Sequence, residues 1–137
     1  MIDHPNADLV RALFSAFEKG NIDAIQSRLS ARVVWHTPGD SILSGTFTGR
    51  DEVVRQLARN SQLTNETFRL EVLDVMAGDD HAAAVFNATA KRDGRILDLE
   101  HALLFRIEQG KITSVWSAPL DLEAFDTFWG PSGPSLK

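Results

Sequence analysis

The stretch Thr67-Phe68-Arg69-Leu70-Glu71-Val72 decides the fold. Before it, apolar residues recur three and four positions apart. Here Phe68, Leu70 and Val72 alternate with Arg69 and Glu71, the two-residue repeat of a strand buried on one face. Three turn signals then punctuate the chain: Gly78-Asp79-Asp80, Arg92-Asp93-Gly94-Arg95 and Glu108-Gln109-Gly110-Lys111. They predict a four-strand antiparallel meander over about 66–77, 81–91, 96–107 and 111–119.

Upstream, Val10, Leu13, Phe14 and Phe17 fall at helical spacing and predict a helix over about 6–19, capped by Asn6 or Asp8 and ended by Gly20. Asn21 caps a short second helix with Ile22, Ile25 and Leu29 inward. Val33-Val34-Trp35-His36-Thr37 reads as a strand over 32–37, stopped at Pro38-Gly39. A loop rich in Gly, Ser and Thr follows, and Thr48-Gly49-Arg50-Asp51 has the spacing of a capping box. It opens a third helix with Val53, Val54 and Leu57 on its apolar face and Arg55, Arg59 and Asn60 pointing away. Downstream, Asp121 caps a last helix that runs to Trp129 and stops at Gly130-Pro131. The expectation is an α+β fold in which helices cover the concave face of one curved mixed sheet. A single domain over 1–130 and a flexible tail over 131–137 are expected.

A chain of 137 residues suits one domain with one core. The absence of cysteine excludes disulfides and thiolate chemistry. A formal net charge of −5, with 14 scattered Lys and Arg, argues against nucleic acid as a partner. No apolar run is long enough to cross a bilayer, and the first residues lack the blocks of a signal peptide, so a cytoplasmic protein is expected.

Several phrases carry a resemblance: Phe14-Ser15-Ala16-Phe17-Glu18-Lys19-Gly20-Asn21, Val33 to Gly39, Phe47-Thr48-Gly49-Arg50-Asp51-Glu52-Val53, Gly110 to Trp116 and Ala124 to Trp129. With the element order, they resemble the cystatin-like cone of nuclear transport factor 2, ketosteroid isomerase and, nearest, the SnoaL-like polyketide cyclases. The resemblance implies a conical pocket and pairing of two copies through the outer sheet face, where Ala102, Leu104, Val115 and part of Ala82–Ala90 would lie. It does not carry a reaction, because this superfamily holds isomerases, cyclases, hydrolases and non-catalytic binders. The oxyanion-hole tyrosine of the ketosteroid isomerases falls near Leu13 and their protonated aspartate near Ala102, so both donors are missing. Their proton-shuttling aspartate falls around His36 or Thr37.

Strand parity selects candidate residues. His101 shares a face with Leu97, Leu99, Leu103, Phe105 and Ile107, as a cavity-wall base or donor or as a hydrogen-bonded core histidine. His36 is expected at the cavity rim, although parity leaves open whether Val34 and His36 or Val33 and Trp35 face inward. Phe14, Phe17, Trp35, Leu57, Leu103 and Trp116 are expected to bind substrate, and Asn87 to offer an amide. Trp116 keeps the parity of Ile112 and Ser114. No metal is expected, since His36, His101 and a carboxylate show no HxH or HExxH spacing, and no cofactor fingerprint is present.

Two functions follow. One is a cofactor-free isomerase, cyclase or hydrolase for a small apolar molecule, with His36 and His101 in acid/base roles. The other is a non-catalytic binding or assembly module. A cavity of about 300 Å³ or more, open to both imidazoles, would favour the enzyme, and a closed interior the module.

Overall fold

A computed structural model describes residues 4–131. Helices α1 (Pro5–Glu18) and α2 (Ile22–Arg28) precede strands β1 (Leu29–Thr37) and β2 (Gly45–Thr48), then helix α3 (Arg50–Gln62). The meander is β3 (Arg69–Ala77), β4 (His81–Arg92), β5 (Arg95–Glu108) and β6 (Lys111–Pro119), and α4 (Leu122–Trp129) closes the sequence of elements. The expected meander is therefore present, with ends moved by a few residues.

These six strands form one sheet in the order β2-β1-β6-β5-β4-β3. Only the β1–β6 pair is parallel; the others are antiparallel. Alternation along β4 shows why the sheet has one buried face. Ala82, Ala84, Phe86, Ala88 and Ala90 are buried, whereas the residues between them are half-buried. On β5 the same side carries Leu97, His101, Leu103, Phe105 and Ile107. The buried side chains of α1, α3 and α4 pack in one cluster with this face, which places the core inside the curve of the sheet.

Local chemistry sets the ends of the elements. Asn21 Oδ1 accepts from Ala24 N, and Asp121 Oδ1 accepts from Ala124 N, the expected caps of α2 and α4. Helix α1 differs from expectation: Nδ1 of His4 accepts from Asn6 N. Asn6 instead donates to the carbonyls of Gly78 and Asp79, tying the start of α1 to the β3–β4 turn. Ile22 is exposed, so the inward stripe of α2 reduces to Ile25, with Leu29 already in β1.

The expected capping box does not form. Gly49 at φ +95° is the N-cap of α3 and no side chain caps it. Thr48 is held in the ladder opposite Val34, and Gly49 N donates to Val33 O, so the chain stays extended up to the helix. Part of the expected loop is also strand: β2 pairs with β1 from Val34↔Thr48 to Thr37↔Gly45. Of the tail expected at 131–137, Pro131 is bridged to Ser41, and residues 132–137 lie outside the described residues.

Candidate functional site

The sheet curves around a cavity of about 100 Å³. Leu13, Phe14 and Phe17 of α1 form one wall, and Gln56, Leu57 and Asn60 of α3 another. The inward face of the sheet supplies Trp35 and Thr37 from β1, Phe86 from β4, Leu97, Leu99, His101 and Leu103 from β5 and Ser117 from β6. Phe125 and Trp129, one helical turn apart on α4, close one side. The loop between β1 and β2 contributes Leu43. Its backbone is pinned from two directions: Gln56 and Arg59 of α3 donate to the carbonyls of Leu43 and Ile42, and Ile42 N donates to Gly130 O. Within this loop Gly39 has φ +90° and packs against the Asp126 carboxylate, whose Oδ2 accepts from Asp40 N.

Among the described residues no Asp, Glu, Lys or Arg side chain lines the cavity. His101 is its ionisable group. Phe86 stacks on the imidazole at 5.0 Å and 17°, and Phe125 meets it edge-on at 5.5 Å. Nε2 lies 2.6 Å from Ser117 Oγ, and Nδ1 has no hydrogen-bond partner among the described residues. With the residue only 7% exposed, burial lowers its pKa from 6.5 to about 4, because an imidazolium there would lose its water. At neutral pH the cavity therefore carries no formal charge. Trp129, also of the wall, carries an enclosed Nε1–H donor without a partner among the described residues.

An apolar conical cavity inside a six-stranded curved sheet is the architecture that the sequence phrases resemble. Residues 10–115 match the SnoaL-like domain. The chain belongs to the SnoaL-like family. An uncharacterised protein of Mycobacterium tuberculosis is 32% identical to this SnoaL-like chain over 130 residues, covering 94% of it and 99% of the relative. Among solved structures, Bal32a, from a soil-derived mobile gene cassette, superposes with TM-score 0.89 at 31% identity, over 92% of this chain and 97% of that one. A Xanthomonas campestris protein of unknown function with a cystatin-like fold superposes with TM-score 0.83 at 31% identity, over 90% and 96%. The expected SnoaL-like α+β cone is thus the fold of this chain. It is a fold suited to binding small molecules, and among the described residues no helix is long and apolar enough to cross a membrane.

In this SnoaL-like domain Phe14, Phe17, Trp35, Leu57, His101 and Leu103 all reach the cavity wall. His36, Asn87 and Trp116 do not. Val33 and Trp35 are 0% and 7% exposed, so alternation turns Val34 and His36 to the outer face. The expectation of His36 at the cavity rim is corrected on that ground. There its ring stacks on Trp116 at 5.4 Å and 11°, and its Nδ1 lies 3.4 Å from Thr46 Oγ1. Asn87 is likewise outside, donating to Asp98 Oδ1 across the β4–β5 pair. Gln56, Asn60 and Ser117 are polar wall residues that the sequence reading overlooked, Asn60 having been expected to point away, whereas Thr37, named beside His36 through the resemblance, does line the wall. The signal for Ser117 was its parity with the buried Val115.

Proposed function

We propose that this SnoaL-like domain binds a compact, uncharged, largely apolar molecule in the cone, with one polar group of the ligand at His101. A single observation carries the reading: among the described residues an apolar wall holds one ionisable side chain, and burial keeps that side chain neutral. An engineered apolar cavity of about 150 Å³ admits benzene, so a cavity of about 100 Å³ suits a ligand no larger than one ring.

The test is a titration at pH 7 with cyclohexanone and with cyclohexanecarboxylate, followed by amide shifts of Phe14, Phe86 and Leu103. Burying an unpaired carboxylate costs several kcal/mol, so the anion is expected to bind at least about 100-fold more weakly. Comparable binding of the two would sink the reading.

Cofactor-free acid/base catalysis is the second reading, favoured by a hydroxyl and an imidazole 2.6 Å apart at a cavity wall. It would rest on His101 alone, since His36 lies on the other face. With a pKa of about 4 this imidazole is a weak base at neutral pH, and that places binding ahead of catalysis.

The proposed partner for the outer face is a second copy of the chain. Leu104, Trp116 and Met76 are 46%, 37% and 51% exposed there, in one row across the sheet through Ala83, and Ala102 lies in the next row on β5 opposite Val85. Val115, expected on this face, is fully buried and belongs to the core. Sedimentation at micromolar concentration is expected to give twice the 15.1 kDa chain mass, and a monomer would contradict the pairing.

A further inference from the structure

We infer that Ser117 fixes His101 in the tautomer with its proton on Nδ1, so that the cavity presents one N–H donor and takes its ligand through a carbonyl oxygen. The inference rests on the ligand-binding reading above and names the chemistry of the group that meets His101.

One proton lies between Ser117 Oγ and His101 Nε2, which are 2.6 Å apart. Either the hydroxyl donates to Nε2, or Nε2–H donates to the hydroxyl oxygen. Each arrangement leaves one donor to be met from the cavity, Nδ1–H in the first and the Ser117 hydroxyl in the second, and among the described residues neither Oγ nor Nδ1 makes another hydrogen bond. The distance separates them: 2.6 Å lies within the range of hydroxyl donors and is shorter than N–H···O bonds, which centre on about 2.9–3.0 Å. The first arrangement is therefore favoured, and it leaves the imidazole proton on Nδ1.

Nδ1 itself has no protein partner. Among the described residues the enclosed side-chain nitrogens and oxygens without partners are Asp126 Oδ1 and Trp129 Nε1, and Nδ1 is not one of them. It retains open space beside it, and the open space beside His101 is the cavity. The ring cannot turn away without giving up its stacking on Phe86 and its edge contact with Phe125. A carbonyl oxygen brings lone pairs and no proton to this donor. A hydroxyl can also accept from Nδ1–H, but its own proton is then directed at a mainly hydrocarbon wall.

The experiment has two independent parts. Nitrogen shifts of the His101 imidazole in the full chain at pH 7 are expected to show protonated Nδ1 and bare Nε2. Ser117→Ala is expected to shift that balance towards a mixture. Titrations with cyclohexanone, cyclohexanol and the hydrocarbon isostere methylenecyclohexane are expected to show the ketone bound about tenfold more tightly than the alcohol. A lowered carbonyl stretching frequency of bound cyclohexanone, relative to the ketone in alkane, is the accompanying signature. Protonated Nε2, or alcohol bound as tightly as ketone, would overturn the inference. If all three compounds leave the cavity resonances unmoved, the binding reading fails instead, and the nitrogen shifts still decide the tautomer. The wild-type shifts suffice even where Ser117→Ala does not fold.

Discussion

Phe86→Ala is expected to lose about 4 kcal/mol of folding stability, measured by urea denaturation, the largest effect of any single change at the site. Phe86 is 5% exposed and stands between two rings, Phe14 of α1 at 5.2 Å and His101 of β5 at 5.0 Å. Removing it deletes the contact that joins α1 to the meander at this height. Its inward neighbours on the same strand are Ala84 and Ala88, which are too small to move into the gap. The void therefore stays open and merges with the existing cavity, so the transfer loss and the cavity loss add. Phe86→Leu, which keeps most of the volume, should lose about 1.5 kcal/mol or less. A loss below about 1 kcal/mol for the alanine variant would mean that the ring is not packed as described.

The same residue explains how much of the architecture could be read in advance. Phe86 sits in a run of alternating small and large residues whose face was legible, because Ala84-Phe86-Ala88-Ala90 is more apolar than Ala83-Val85-Asn87-Thr89. The meander and its three turns were legible for the same reason. Strand β2 was not: Gly45-Thr46-Phe47-Thr48 is too short and too polar to alternate, and it is a strand because β1 offers it an edge. Val33 and Val34 are equally apolar, so parity in β1 could not be decided until β2 and β6 were seen on either side of it. The misplacement of Trp116 has a sharper cause. Register slips between Arg106 and Ile107, and Ile112 and Val115 are both fully buried although they lie three apart. Two-residue counting from Ile112 therefore put Trp116 inside and hid Ser117. His101 was legible because β5 keeps its alternation from Leu97 to Phe105.

Acid is expected to act on this domain through His101, with a stability change of about 3 kcal/mol. Burial holds its folded pKa at about 4, against 6.5 for the free side chain. The sign follows from which state binds the proton. Above pH 6.5 the imidazole is neutral whether the chain is folded or not, and it adds no pH dependence. Between pH 6.5 and 4 the unfolded chain takes up the proton and the folded chain does not, so falling pH favours unfolding. Below pH 4 both states are protonated and the loss is complete. A difference of 2.5 units, from 6.5 to about 4, at 1.36 kcal/mol per unit gives about 3 kcal/mol. That is a large share of the 5–15 kcal/mol that holds a typical domain together. The measurement compares the full chain with His101→Gln by urea denaturation from pH 7.5 to pH 4. Every other titrating group is common to both proteins and cancels, so the variant should lose less on acidification and the two curves should converge or cross. Parallel curves over that range would show that His101 takes up its proton without unfolding the chain. The imidazole would then be hydrated in the folded chain, and the desolvated cavity on which the proposed ligand chemistry depends would not exist.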